Sequence, residues 1–365
     1  MAARYWDLLL AITVVLFCQV GVFYLQAWRC HLQHLSSTTH SSDSLLVLVV
    51  TDVHLLGKRR RSWIERWWVD WQVQASVRAV VDVLEPEVAL VLGDQFDEGG
   101  RRTLDSDWDE YTSRFFRAFS SFLPLKTMYL QVGNHDVSFG RDMQMKNLQR
   151  FEVTFGAANR IEEIQGHTFV SLNTMALDTD VTSEGVKIEA RSFLESVNSS
   201  DLRARTSGSV VLLTHLPLFR GDDLQCGEER LGESGHVTYE NPRYKYEIHH
   251  HVLSRELSAE LLSKLQPDLV LSGHTHAWCA YHHPGEKTME YTIPAFSWGQ
   301  RPDPSYALLQ LSRGGHVRPE VSACHLPHES FVFATYAAVL IVILLAHFVK
   351  TVETLRASKI KSKGA

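Results

Sequence analysis

Five times along this chain a short aliphatic run breaks directly into a block of Asp, Asn, Gly and His. Leu45–Val50 runs into Thr51-Asp52-Val53-His54, Val88–Leu92 into Gly93-Asp94, and Met128–Val132 into Gly133-Asn134-His135-Asp136. Further on, Val210–Leu213 precedes Thr214-His215, and Leu269–Leu271 precedes Ser272-Gly273-His274-Thr275-His276. Aliphatic runs this short, closed by turn residues, read as strands buried on both faces. Helical spacing fills the gaps between the first three. Trp63–Leu84 repeats apolar residues at Trp63, Trp67, Trp71, Val77, Val80, Val81 and Leu84, and Asp107–Phe122 opens on acids, as a helix N-terminus favours. The intervals from Asp52 to Asp94 (42 residues) and from Asp94 to Asn134 (40 residues) each hold a strand–helix–strand crossover. The expectation is an α/β fold whose parallel strands deliver every candidate ligand to one rim, beyond their carboxyl ends. Apolar runs at Thr168–Asn173, Glu290–Ile293, Tyr306–Leu311 and Val317–Val321 predict a second sheet.

Taken singly, His54 or His215 is as compatible with a satisfied core histidine as with a ligand. Taken in order, the blocks D-x-H, G-D, G-N-H-D, H and G-H-x-H resemble the calcineurin-like metallophosphoesterase superfamily, from the first strand to the GHTH turn. That resemblance implies two stacked mixed sheets flanked by helices and a pair of divalent ions. Asp52, His54 and His276 would hold one ion, Asn134, His215 and His274 the other, with Asp94 bridging. His135 would stand beside the ions and protonate or hydrogen-bond the leaving oxygen, with Asp136 orienting its ring. Oxygen donors with imidazoles suit manganese, iron or zinc, and two such ions can clamp the attacking and leaving oxygens of a phosphoryl displacement. No C-x-x-C pair supports a thiolate zinc site.

The flanks narrow the resemblance. Asp52-Val-His54-Leu-Leu-Gly57, Gly93-Asp94-Gln-Phe-Asp-Glu98, Asn173-Thr-Met-Ala-Leu177, Leu253-Ser-Arg-Glu256 and Pro294-Ala-Phe-Ser-Trp298 are similar to the branch of this superfamily that remodels GPI anchors. The resemblance implies a manganese-dependent phosphodiesterase acting on GPI-anchored proteins in the early secretory pathway, between ER exit sites and the cis-Golgi. It would remove the ethanolamine phosphate branch from the second mannose after the anchor is attached, and so promote ER-to-Golgi transport. Two other readings stay open: a lumenal phosphatase for a nucleotide or another lipid headgroup, and a non-catalytic adaptor that binds GPI cargo.

Both ends of the chain read as membrane spans. Leu8–Trp28 is 21 residues without a charge, about 31 Å as a helix and enough to cross the hydrocarbon core. A cleaved signal peptide would have a shorter apolar region followed by a small-x-small site; this run ends in bulky residues, so residues 1–30 read as an uncleaved anchor and 31–44 as a linker. The second span, 329–349, is followed by a basic tail over 350–365 that carries a charge of +4, leaving −10 for the rest of a chain whose net charge is −6. A body that acidic is a poor partner for nucleic acid. Basic flanks face the cytosol, which puts the domain over 45–325 in the lumen. The terminal Lys361-Ser-Lys363-Gly-Ala365 resembles the K-x-K-x-x retrieval signal read by the COPI coat. In an oxidising lumen Cys30, Cys226, Cys279 and Cys324 are permitted to pair, with connectivity unreadable from sequence. Asn198-Ser-Ser200 is a glycosylation sequon.

Three features carry two readings each. Lys58-Arg59-Arg60-Arg61 is either a solvated loop or a grip on substrate phosphates or lipid headgroups. Trp63, Trp67, Trp68 and Trp71 form a stripe that suits core packing or membrane docking. His249-His250-His251 and His282-His283 are read as surface or rim residues, because neighbouring histidines cannot all face one ion without strain.

Overall fold

The computed structural model describes residues 2–37, 44–121, 128–178, 180–233, 241–285, 287–312 and 318–363. Residues 38–43 of the 31–44 linker, the start of the Val317–Val321 run and the last two residues of the K-x-K-x-x pattern lie outside them.

The chain opens with α1 (Ala2–Leu16), a π-helical turn at Phe17–Gly21 and α2 (Val22–Ser37). It then alternates β1 (Ser44–Val50), α3 (Trp63–Leu84), β2 (Val88–Val91), α4 (Asp105–Ala118) and β3 (Met128–Leu130). Next come α5 (Asn134–Val137), α6 (Met145–Phe155), β4 (Arg160–Ile164), β5 (His167–Ser171), α7 (Met175–Asp178), α8 (Glu184–Ser196), α9 (Ser199–Arg205) and β6 (Val210–Leu213). The second half adds α10 (Gly227–Gly232), α11 (Arg255–Leu265), β7 (Leu269–Ser272), β8 (Cys279–His282), β9 (Met289–Thr292), β10 (Ser305–Ser312), β11 (Glu320–His325) and α12 (Glu329–Lys363).

One sheet has the order β11-β10-β1-β2-β3, the other β4-β5-β6-β7-β9-β8. In the first, β1, β2 and β3 run parallel, with β10 antiparallel to β1 and β11 antiparallel to β10; in the second, β5, β6, β7 and β9 run parallel between the antiparallel edge strands β4 and β8. The twofold alternation of a strand divides β1 cleanly. Leu45, Val47 and Val49 meet Phe169, Val211, Leu213, Leu269 and Leu271 of the second sheet, while Leu48 and Val50 turn to Val69, Val73, Val77 and Val80 of α3. Burial on both faces is why these runs are continuously apolar.

α3 starts at a capping box, Ser62 accepting from the Glu65 amide and Glu65 from the Ser62 amide, and ends at Glu85 in the left-handed region, before Pro86. α4 begins two residues before the expected Asp107 because Leu104 already has the extended cap conformation. β4 and β8 were not expected. They are outermost strands, and β4 reads Arg-Ile-Glu-Glu-Ile, the charged composition that blunts a sheet edge and hides its periodicity.

Two helices, over Trp6–His34 and Glu329–Ala357, are long and apolar enough to cross a membrane, each containing an 18-residue stretch with a mean hydropathy of 2.5. They run antiparallel as a pair: Phe17 meets Phe331, Gln19 donates to Tyr336 at 3.0 Å, and Asp7 pairs with His347 at 3.0 Å. The pair is fastened to the sheet domain. Phe23 packs edge-on against Trp71, the Tyr24 hydroxyl donates to Asp82, and Trp68 Nε1 donates to Glu329 at 2.8 Å. A disulfide joins Cys30 of α2 to Cys324 of β11, and a second joins Cys226 to Cys279.

Connectivity decides which end of the domain carries these helices. α3 leaves the carboxyl end of β1 and returns to its amino end; α2, which feeds that amino end, lies alongside. The amino-terminal half of α2, and α1 beyond it, therefore extend toward the carboxyl rim. α12 also departs from the rim, since Glu329 is hydrogen-bonded to Pro302, just before the end of β10 that pairs with Val49.

Candidate dinuclear metal site

The loops after β1 and β2 run side by side, stitched by three amides: Asp52 donates to Gly93, His54 to Asp94 and Leu55 to Gln95. This pairing sets Asp52 and His54 against Asp94. Gly93 sits at φ 104°, and a Cβ there would lie 2.4 Å from His215 Nδ1; one on Gly133 would lie 2.2 Å from the Asp94 amide and from Asp94 Oδ1. Only glycine allows four loops to close this tightly. Asp52, His54, Asp94, His274 and His276 themselves have positive φ, between 43° and 70°. Such conformations cost about 1–3 kcal/mol each and persist where the surroundings over-determine them, commonly at functional sites.

Each carboxylate spends one oxygen on the backbone and leaves the other for the centre. Asp52 Oδ2 accepts from Thr51 Oγ1 and the His274 amide, both at 2.8 Å, while Oδ1 is buried without a hydrogen bond and lies 3.3 Å from His276 Nε2 and 3.6 Å from His54 Nε2. Asp94 Oδ1 accepts from the His135 amide at 2.7 Å, leaving Oδ2 3.4 Å from His54 Nε2 and 3.3 Å from His215 Nε2. The imidazoles are held from behind in the same way. His215 Nδ1 donates to the Leu92 carbonyl at 2.8 Å, so its Nε2 faces Asp94 and, at 3.0 Å, Asn134 Oδ1. His274 Nε2 donates to the His250 carbonyl at 2.8 Å, and its other nitrogen joins Asp94 and His215. Both ring nitrogens of His54 are buried and unbonded.

Acceptor therefore faces acceptor throughout a buried centre, an arrangement that only cations satisfy. The donors fall into two overlapping groups, Asp52-His54-His276 and Asp94-His215-His274, with His54 and Asp94 close enough to share. This donor set fits two divalent ions. Without an ion, a proton on His215 takes up part of this conflict. Burial by itself lowers the His215 pKa, but the Asp94 carboxylate overrides it and raises it to about 9; burial, aided by His215, drives His274 down to about 3. Against the cost of burial, the surrounding imidazoles hold the Asp94 carboxyl well below the usual range.

His135 stands at the mouth of the centre, half-buried, its ring 4.6 Å from that of His54. Its Nδ1 donates to the Asp97 carbonyl at 2.8 Å. Burial opposes a charged ring, but Asp94 and the Asp97 carbonyl outweigh it and raise the pKa. The expected partnership with Asp136 is not what the structure holds. Asp136 is buried behind the centre and accepts from the Gly133 and Asp94 amides at 2.9 Å, the Gln95 amide at 3.0 Å and the Phe96 amide at 3.3 Å. Four amides saturate the carboxylate and draw it away from the ring, so Asp136 welds the β2 and β3 loops together while Asp97 orients His135. Burial and the Asp94 charge push the Asp136 carboxyl up to about 8, with the Gly133 and Phe96 amides pulling the other way.

Two residues that support the site, Asp97 and Arg301, were not singled out in the sequence, and His250 was read there only as a surface or rim residue. Besides Asp97, Arg301 donates to the His276 carbonyl at 2.7 Å and to Glu233 at 3.2 Å, and the His250 carbonyl fixes His274. His249 is exposed, 3.2 Å from Asp178, and His250 is exposed at the rim as expected. His251 and His283 are not surface residues: His251 is buried and accepts from the Glu247 amide, and His283 pairs with buried Glu290 at 2.9 Å. Lys58 pairs with Asp107 and Glu110, Arg59 with Glu98 and Arg61 with Glu65, while Arg60 has no ion pair among the described residues.

Residues 45–278 match the calcineurin-like phosphoesterase family model. The chain is 34% identical to mouse metallophosphoesterase 1 over 361 residues, covering 92% of this chain and 87% of the mouse protein. It is 33% identical to zebrafish metallophosphoesterase 1 over 350 residues, covering 92% and 88%. Among solved structures, a yellow lupin purple acid phosphatase aligns over 77% of this chain and 54% of its own, at 12% identity and a TM-score of 0.46.

Proposed function

The chain belongs to the calcineurin-like phosphoesterases, is related over nearly its whole length to metallophosphoesterase 1 proteins and is a metal-dependent phosphoester hydrolase; we propose that its substrate is the ethanolamine phosphate branch on the second mannose of protein-attached GPI anchors. The observation that carries the catalytic part is the buried centre of opposed acceptors around Asp94. Asp52, Asp94, His54 and His276 would hold one ion, and Asp94, Asn134, His215 and His274 the other. When bound, the two ions supply Lewis-acid activation of the phosphoryl oxygens and of the attacking water.

The chain's own groups do the rest. His135 carries the proton for the departing sugar oxygen, with the Asp97 carbonyl presenting the ring in one tautomer. Asp136 keeps Asp94 and Asn134 in register through the amides it accepts. Manganese is the expected ion, and iron or zinc would suit the same donors.

The GPI part rests on the flanking blocks, which are spread from Asp52 to Trp298, and is supported by two apolar helices that leave the domain on the side of the site. In the same reading residues 350–365 are cytosolic and engage the COPI coat, the domain is lumenal and the protein cycles through the early secretory pathway. The two disulfides suit an oxidising lumen. The test is full-length protein loaded with manganese and given a GPI-anchored protein, with the glycan read by mass. Loss of one ethanolamine phosphate, absent with Asp94→Asn, supports the reading. Turnover of nucleotides or soluble phosphodiesters with the glycan left intact overturns the substrate and favours a lumenal phosphatase.

A further inference from the structure

The stripe at the start of α3 divides along its length. Trp68 and Trp71 turn inward, stacking with Trp298, Phe333 and Phe23 of the domain and of both membrane-type helices. Trp63, Ile64 and Trp67 precede them in the first two turns, on the same side of the helix, and are 70%, 55% and 56% exposed. Three large apolar side chains together on a helix end are not a normal solvated surface. The sequence just before them, Arg59-Arg60-Arg61, is exposed and includes Arg60, which has no ion pair among the described residues.

Position supplies the occupant. α3 begins at the carboxyl rim, the side from which α1 and α12 project. Beyond Phe17, where the paired helices part from Trp68 and its neighbours, α1 has only Ala2–Leu16, about 23 Å of helix, short of the roughly 30 Å hydrocarbon core. The uncharged stretch continues to Trp28, along the side of α3. A bilayer deep enough to cover it must therefore reach the first turns of α3. Tryptophan favours that interfacial depth, and arginine stems reach from it to lipid phosphates.

We propose that Trp63, Ile64 and Trp67 are embedded in the interface of the bilayer that the two terminal helices span, with Arg60 on lipid phosphates, so that the metal rim faces the membrane and takes phosphodiesters presented at its surface. This rests on the two-span reading, and the experiment separates the two. Full-length protein in a Cys18→Ser background is reconstituted in phosphatidylcholine vesicles doped with lipid bearing a nitroxide high on its acyl chain. An environment-sensitive fluorophore is placed at Trp67→Cys or, as a control, at Val153→Cys on α6, which is 89% exposed. The label at position 67 is expected to be quenched several-fold more than the label at 153. The triple variant Trp63→Ser/Ile64→Ser/Trp67→Ser is expected to keep its turnover of bis-p-nitrophenyl phosphate. On a phosphodiester tethered to vesicle lipid it should lose about tenfold, as forfeiting even part of the burial of three large side chains implies. Equal quenching at both positions in protein that resists alkaline carbonate overturns the docking and leaves the spans standing. Extraction by carbonate overturns both. If the triple variant loses both activities, the quenching pair decides.

Discussion

At the scale of single residues, the site works by division of labour within each side chain. Asp52 and Asp94 anchor one oxygen to the backbone and leave one for a cation; His215 and His274 donate from one nitrogen to a carbonyl and offer the other. His135 is the exception, exposed enough to reach substrate, its amide on Asp94 and its ring held by the Asp97 carbonyl. His135→Gln is expected to lower turnover of an alkyl phosphodiester by about 10²–10⁴-fold. The loss should be much smaller with a p-nitrophenyl leaving group, which departs without a proton; equal losses on both would assign His135 to binding. Asp136→Asn should act differently. By loosening the loops that present Asp94 and Asn134, it is expected to weaken metal affinity about 10–100-fold, with activity restored by excess manganese. Metal titration of purified protein checks this.

A second residue-scale centre lies away from the metals. Buried Asp223 accepts from Arg220 and Arg230, each at 2.9 Å, and from the Tyr246 hydroxyl at 2.6 Å. Removing its charge takes from buried Arg220 its paired carboxylate and leaves Arg230 to Glu233, so Asp223→Asn is expected to cost about 3–5 kcal/mol in chemical denaturation. Burial would raise the Asp223 pKa, yet Arg220 and the other donors hold it below the usual value, and Glu290 is depressed likewise by His283. Groups depressed in the folded state stabilise above their unfolded pKa of about 4 and lose that contribution as pH falls through the folded value. Stability measured from neutral to acid pH should therefore drop below about pH 4, and the Asp223→Asn variant should show a shallower drop.

At the scale of elements, local periodicity decided most of what formed. β1, β2, β3, β6 and β7 occur where aliphatic runs precede polar blocks, and α3 starts at the Ser62/Glu65 capping box. Losing that cap through Ser62→Ala is expected to cost about 0.5–2 kcal/mol of stability, visible as a lower thermal midpoint with unchanged metal content. The elements that escaped notice, β4 and β8, sit at the margins of the second sheet, where one neighbour is missing and no strict alternation is required. The same limit applies to the tryptophan stripe. Its helical spacing was plain, but spacing on one helix does not say which neighbours approach it, and the structure divides the stripe between packing and exposure.

At the scale of the whole molecule, two disulfides and the paired terminal helices join segments far apart in the chain. Cys30–Cys324 spans 294 residues and ties α2 to the last strand; Cys226–Cys279 spans 53. Replacing either pair by serine is expected to lower stability by about 2–5 kcal/mol. Only the Cys30/Cys324 replacement should free the amino-terminal helix from the domain after a proteolytic cut in the 31–44 segment, which a non-reducing gel reads directly.

The metal ligands, their order and the crossovers that gather them were legible because each is encoded within a few residues: a strand has a period, and a ligand block follows it. Asp136 was assigned the wrong partner, the cysteines could not be paired, and the side of the domain carrying the membrane helices was unseen. These are relations between segments tens to hundreds of residues apart. The partner of a carboxylate or a thiol is whatever the packed loops bring within about 3 Å, and that proximity exists only once the two sheets have closed on one another.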